Sequence, residues 1–412
     1  MPNCIICRHP NMKRRNYRVN VSNILFALQT NLYRIMKADY AILIYMVGSD
    51  LETKYQMASS DIKEMMEAGS TRRVPVVLQT GGAKAWGLEC IPADRNCRWL
   101  VRRQRLQLLQ DAGNDNMDNP DTLSDFLTWS IRRYPARNYV LILWGHGLGP
   151  IDGFGGDEHY GNHKMKLAGL QAALHCACQA TNTSFQVIGF DACSMAGLEI
   201  AYALRPYAEY LVASVDYTNH NGWDYRSILQ SLQQKPTLGG QKLGEIIVNS
   251  YRLHSRENGE MEDLQMSVIR LDRIERVVQA VEAWGRRLLD AARDPRLLEL
   301  MEDGRKNAED YAEEADMADL ADTARQMAGK LGCRQEADLI LKEVEDAVVY
   351  NMKTPEHPKA KGLSIYFPRQ DKERFVEKAE LYRQNDFPSV YQQFVEKYSY
   401  MMEEDYNYIK QE

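Results

Sequence analysis

With 412 residues, 44% hydrophobic and 26% charged, the chain has the mass for two domains or one large elaborated one, and collagen-like, coiled-coil and disordered classes are excluded. Its 51 Lys and Arg against 57 Asp and Glu leave a formal charge of -6, which supplies no overall field for nucleic acid and favours a cationic partner. No run reaches the ~18 consecutive apolar residues of a membrane helix, so neither nucleic acid nor a membrane is an expected partner.

Residues 1–39 read as a basic arm outside the fold, with Lys13, Arg14, Arg15 and Arg18 close together. Cys4-x-x-Cys7 with His9 is half of a zinc pattern, and no second cysteine pair answers it at finger spacing. The apolar patch Ile24 to Met36 is broken by Gln29, Thr30, Asn31 and Arg34 and lacks a small-residue cleavage site. No secretory signal is read there, and a cytoplasmic location is the resulting expectation. Eight cysteines in so long a chain are too dilute for a disulfide scaffold, and Cys90 and Cys97 are expected as free thiols.

From Tyr40 to about Lys235, β-branched runs alternate with helical periodicity, the pattern of a mainly parallel sheet covered by helices. The expected strands are Tyr40 to Val47, Val74 to Thr80, Tyr139 to Trp144, Phe185 to Phe190 and Leu211 to Val215. WLVRRQRLQLL alternates like an exposed hairpin, which makes Arg102, Arg103 and Arg105 a solvated face. NPDTLSDFLTW opens a helix, with Asn119 or Asp121 as cap, Pro120 in the first turn and Leu123, Phe126 and Leu127 on a buried stripe. Residues 236–368 read as a helical C-terminal portion with returning strands at Met266 to Leu271 and GLSIYF, and 369–412 as a helical tail. Within it, EDYAEEADMADLAD reads as a helix with a solvated acidic face.

Open parallel sheets place their sites beyond the carboxyl ends of strands, and two such ends stand out. YVLILW runs into GHGLGP, presenting His146 between two glycines, and FQVIGF runs into DACSMAGLEIAYAL, presenting Cys193 at a strand-to-helix turn. On neighbouring strands the pair can act as base and nucleophile, with the Gly147 and Cys193 N–H groups aimed at a developing oxyanion. The alternatives are a buried structural cysteine and a satisfied histidine. Asp191, two residues before Cys193, either faces a basic substrate side chain or caps the following helix. Asp224 in NGWDY offers a second charge and Trp223 a pocket wall, or the two are a helix-start acid beside a core ring. His175, Cys176 and Cys178 lack a fourth ligand and read as core packing, so no metal site is assigned.

YMVGSDLE, NMDNPDTLSDFLTW, LILWGHG, IGFDACSMAGLE, NGWDY and GLSIYFP occur in that order, and together the chain resembles the clostripain-type cysteine endopeptidases of the caspase, gingipain and legumain fold group. The resemblance implies an α/β caspase-like fold, a His146–Cys193 dyad, and cleavage of peptide or protein substrates after Arg or Lys with Asp191 as the acidic specificity residue. It also implies possible self-activation by a cut between His146 and Cys193, for which Lys164 and Lys166 are the candidates. No cofactor is required; some relatives are calcium-stimulated, and the sequence has no EF-hand-like ligand spacing, only acids such as Asp152, Asp157 and Glu158 to suggest calcium. Two departures are visible: Leu148 stands where the family pattern usually has Gly, and VDYTNH before NGWDY offers only Asp216. The expected molecule is a monomeric endopeptidase, with an inactive scaffold that binds basic peptides as the alternative; similar enzymes are often exported, which stands against the cytoplasmic expectation.

Overall fold

The computed structural model describes residues 37–311 and 315–411; Cys4, Cys7, His9 and the basic arm lie outside the described residues. The chain divides after Lys37, and Ala38–Glu412 forms one compact unit. Among the described residues one nine-stranded sheet contains β1 (Ala38–Val47), β2 (Val76–Gly81), β3 (Cys97–Arg102), β4 (Arg105–Asp111), β5 (Ala136–Trp144), β6 (Phe185–Asp191), β7 (Ala208–Ala213), β8 (Gln265–Arg270) and β11 (Val348–Lys353). A second sheet joins β9 (Asp310–Tyr311), β10 (Met317–Asp319) and β12 (Ser364–Tyr366).

In the order β11-β8-β7-β6-β5-β1-β2-β3-β4, the five strands from β7 to β2 pair in parallel. An antiparallel pair closes each edge. The period-two pleat sorts each strand's side chains between two cores. Leu43, Tyr45, Leu141, Leu143, Ile188 and Phe190 face the helices Pro120–Arg133, Leu167–Thr181 and Ile274–Ala291. Ile42, Ile44, Met46, Ile142 and Trp144 face Met57–Ala68, Tyr225–Gln234 and Gly240–Glu257. Burial on both sides explains the uninterrupted apolar run of β1, where each of Ile42, Leu43, Ile44 and Met46 contributes about 1.5–3 kcal/mol.

Asn119 caps the helix Pro120–Arg133 through a bond from the Asp121 N–H (3.0 Å), with Leu123, Phe126 and Leu127 buried as the spacing predicts. The β3–β4 hairpin turns at Arg103 and Gln104, and Arg102, Arg103 and Arg105 are exposed.

The sheet continues across the boundary expected near Lys235, because β8 pairs with β7 and β11 with β8. The acidic segment EDYAEEADMADLAD is not a solvated helix in its described part. Asp310–Tyr311 and Met317–Asp319 are strands, and the helix begins only at Leu320. Two of its described acids accept from backbone donors: Asp316 from the Arg369 and Gln370 N–H groups, and Asp319 from those of Lys361 and Asp322. A buried carboxylate that satisfies loop amides has the same one-letter signature as one on a wet helix face.

Candidate active site

β5 and β6 run side by side in parallel, with Trp144 opposite Asp191. The chains stay together beyond the last pair, since the Gly145 N–H donates to the Asp191 carbonyl at 3.3 Å. A Cβ on Gly147 would overlap the Cys193 carbonyl oxygen and stand 2.9 Å from Met195 Cγ, so only glycine permits this approach. His146 and Cys193 therefore occupy matching places on two adjoining strand ends. Both are partly exposed while the backbone around them is buried.

The region just past the strands is tightly turned. Ser49 and Ser194 hold left-handed backbone (φ 51° and 58°), immediately before Asp50 and immediately after Cys193. For non-glycine residues that conformation costs on the order of 1–2 kcal/mol, and it concentrates at functional sites. Among the described residues the Gly145, Leu148 and Ser194 N–H groups find backbone acceptors, whereas those of Gly147 and Cys193 find none. Leu148 adopts φ -148°, and the left-handed step falls on Gly149 (φ 69°), so the substitution of Leu for the family's glycine forces no strain.

Sequence expectation and structure part over the helix after Cys193. That helix is Leu198–Leu204, capped by Gly197, and does not begin at the cysteine. The sulfur is held by the loop after β7 instead: the Thr218 N–H donates to Sγ at 3.3 Å and the Thr218 hydroxyl stands 3.5 Å away. His146 Nε2 lies 2.8 Å from Asp50 Oδ1. Partial burial opposes ionisation of Asp50, but hydrogen bonds from His146 and Lys54 outweigh it and hold its carboxyl down at about 2.

Asp191 ends β6 and caps no helix. It accepts the Tyr225 hydroxyl (2.9 Å) and the Trp223 N–H (3.3 Å). Burial pushes its carboxyl up to about 7 against those two donors. Asp61, on Met57–Ala68, accepts the Trp144 indole N–H at 2.7 Å. Burial, and after it the charge of Asp191, pushes Asp61 well above the carboxylate range. Both carboxyls converge on Gly222, where a Cβ would stand 3.2 Å from Asp191 Oδ2 and 3.4 Å from Asp61 Oδ2.

Asp224 is occupied as a helix cap, its Oδ1 accepting the Ser227 N–H at 2.8 Å, which is the structural of the two roles open in the sequence. The Trp223 ring is fully buried over Gly189, where a Cβ would come within 2.6 Å of it. Lys166 caps Leu167–Thr181 and reaches the Ile151 carbonyl and Asp152, while Lys164 lies in the loop just before the bridge between Met165 and Phe154. Asp157 accepts the Met117 and His159 N–H groups, and Glu158 accepts the Lys84 N–H. Among the described residues no group of three His, Cys, Asp or Glu side chains could hold a metal, and no helix is long and apolar enough to cross a membrane. Cys90 and Cys97 are free thiols.

Sequence reasoning passed over Asp50, Asp61, Thr218 and Tyr225. Asp50 had a usable signal, since YMVGSD puts it three residues beyond the end of a parallel strand, on the same rim as the two ends that were read. Asp61, on a helix, had none.

A model of the clostripain family, peptidase C11, matches residues 44–408. The chain belongs to the clostripain family. It is 26% identical over 207 residues to clostripain of Hathewaya histolytica, a match covering 40% of this chain and 38% of that protein. Two solved clostripain-family structures share the fold. The first is a secreted C11 cysteine protease of Bacteroides thetaiotaomicron bound to an irreversible peptide inhibitor, with a TM-score of 0.61 and 18% identity over 84% of this chain and 99% of that one. The second is an inactive zymogen C11 protease of Parabacteroides distasonis, with a TM-score of 0.63 and 21% identity over 87% and 99%. The caspase-like mainly parallel sheet flanked by helices is thus common to all three.

Proposed function

We propose that the chain is a cysteine endopeptidase that cleaves after Arg or Lys, with Cys193 as nucleophile and His146 as acid and base. The observation that carries this reading is the adjacency of residues 145–147 and 191–195 at the ends of β5 and β6, where the Gly147 and Cys193 N–H groups have no backbone acceptor among the described residues. In the reaction, Sγ attacks the scissile carbonyl carbon and the oxygen takes the negative charge toward those two N–H groups. Collapse of the tetrahedral adduct breaks the C–N bond, His146 gives a proton to the leaving amine, and a thioester remains. Water, deprotonated by His146, then attacks the thioester and releases the acid and the thiol.

Preference for a basic side chain is supported by Asp191 and Asp61, two buried acids brought together with no Lys or Arg hydrogen-bonded to either among the described residues. Activation by self-cleavage is supported more at Lys164 than at Lys166. The bond after Lys166 lies at a helix start whose first backbone bond, Leu170 N–H to the Lys166 carbonyl, must open before a strand-like substrate can form.

Cys193→Ala should abolish hydrolysis of an Arg- or Lys-ended peptide amide while leaving the thermal midpoint nearly unchanged. Turnover at the wild-type rate would remove the mechanism. If wild-type protein binds such peptides but never cuts them, with the internal segment 146–193 intact or cleaved, the inactive scaffold is the correct reading.

A further inference from the structure

The motif-bearing residues account for the nucleophile and its base, yet they leave open what fixes the imidazole. Three features converge on it. Ser49, in left-handed backbone, turns the chain at the end of β1 so that the helix Ser49–Tyr55 starts directly on the rim. β1 pairs with β5, with Met46 opposite Trp144, so the segment after β1 runs beside the segment that carries His146. Asp50 Oδ1 then meets His146 Nε2 at 2.8 Å, while its Oδ2 takes the Lys54 ammonium at 3.0 Å. The other side of the ring is closed by Gly156, where a Cβ would stand 3.9 Å from His146 Cδ2 and 3.4 Å from Ser49 Oγ.

We propose that Asp50 is a positioning residue of the reaction: by accepting the Nε2 proton of His146 it fixes the tautomer and leaves Nδ1 as the nitrogen that exchanges protons with Cys193 and the leaving amine. The inference rests on the peptidase reading above. A carboxylate in this place does two separable things. As an acceptor it selects one of two tautomers and one ring orientation. As a charge it stabilises the imidazolium formed when the thiol gives up its proton. Asp50 is suited to the second task because it stays ionised across the working range. Among the described residues the charged or titratable groups around this corner include Asp50, Glu52 and Lys54 on the helix, Asp157 next to Gly156, Glu158, which accepts the Thr53 hydroxyl, Cys193 after β6 and Asp191 at its end. Lys54 is largely exposed, so its charge is screened more than that of Asp50.

The test compares Asp50→Ala and Asp50→Asn with wild type and Cys193→Ala, reading kcat, KM and the pH profile of kcat/KM on a Lys-ended peptide amide. Asp50→Ala should lower kcat by about 100-fold with KM within about twofold, in the range a misplaced general base costs. Asp50→Asn keeps an acceptor without the charge, so kcat should recover by about tenfold over the alanine variant while the alkaline limb moves to lower pH. A role in folding alone would move the thermal midpoint and leave the limbs in place. Wild-type kcat and unchanged limbs in Asp50→Ala, with Cys193→Ala inactive, would overturn the role of Asp50 and spare the peptidase reading. If Cys193→Ala retains turnover, that reading fails by itself. The pH profile of Cys193 alkylation by iodoacetamide then decides the present inference separately, since a profile identical in wild type and Asp50→Asn contradicts it.

Discussion

Asp61 and Asp191 meet at Gly222 inside the protein, and under the proposed recognition of a basic side chain their protonation would link substrate charge to pH. Two buried acids this close favour sharing a proton, which a cationic side chain would have to displace. With Asp191 pushed up to about 7, affinity for an Arg or Lys side chain should rise as pH climbs through that value and fall below it. The KM of a basic substrate measured from pH 5.5 to 8.5 checks this, and a KM flat across that window would dissociate the pair from recognition. Asp191→Asn should raise KM by about tenfold or more, as expected when a buried charged hydrogen bond is lost. The same carboxyls bear on stability with a defined sign. Their folded values lie above the unfolded ones, so stability is fully present below about 4 and is lost as pH rises toward 7. Asp61→Asn should accordingly raise the thermal midpoint at pH 8 and change it little at pH 4, as a calorimetric scan at both values would show.

At the scale of elements, the site depends on two strand ends that approach more closely than side chains allow. Gly147→Ala should cut kcat by about 100-fold, the cost of displacing a catalytic group by roughly 1 Å. It should also lower stability by about 1–3 kcal/mol, the usual cost of overpacking, measured by denaturant titration. The elements themselves were legible where period and punctuation agreed. β1 and β5 carry long apolar runs, Tyr40 to Val47 and Tyr139 to Trp144, β6 is broken only by Gln186 between Phe185 and Phe190, and the helix Pro120–Arg133 carries its cap, proline and stripe in sequence. β7 was read three residues late at its start, because Ala208 and Glu209 belong to the strand only through pairing with β6. The start of the helix at Leu198 was misjudged because ACSMAG has no capping side chain, and its turn is fixed by bonds from Ser194 and Ala196 to the chain after β7. His146 and Cys193 could be found from strand ends; Thr218 could not, since only tertiary packing brings its loop to the sulfur.

At the scale of the whole molecule, the C-terminal portion supports the turn that bears Cys193. β12 docks beside it through Ser364, whose N–H donates to the Ala196 carbonyl at 3.0 Å. Behind the turn, Glu199 accepts the Tyr366 N–H (3.0 Å) and the Tyr382 hydroxyl (2.7 Å), and burial pushes its carboxyl up to about 6. Glu199→Ala leaves two buried donors unpaired and should cost roughly 2–4 kcal/mol, together with a fall in kcat. Glu199→Gln, which retains an acceptor, should keep most of both; equal losses in the two variants, measured by denaturant titration and turnover, would deny the support role. None of this was visible in the sequence, where the acids of residues 310–322 look solvated and the strand GLSIYF has no stated neighbour. The central claim is that one cysteine among several is activated by its place in the fold. Its most direct measurement is mass-mapped alkylation by a Lys-chloromethyl ketone, in wild type and in His146→Ala. The account predicts a single fast adduct on Cys193, slowed by about 100-fold without His146, although Cys90 and Cys176 are the more exposed thiols. Equal labelling of Cys90, Cys176 and Cys193, unchanged by His146→Ala, would contradict it.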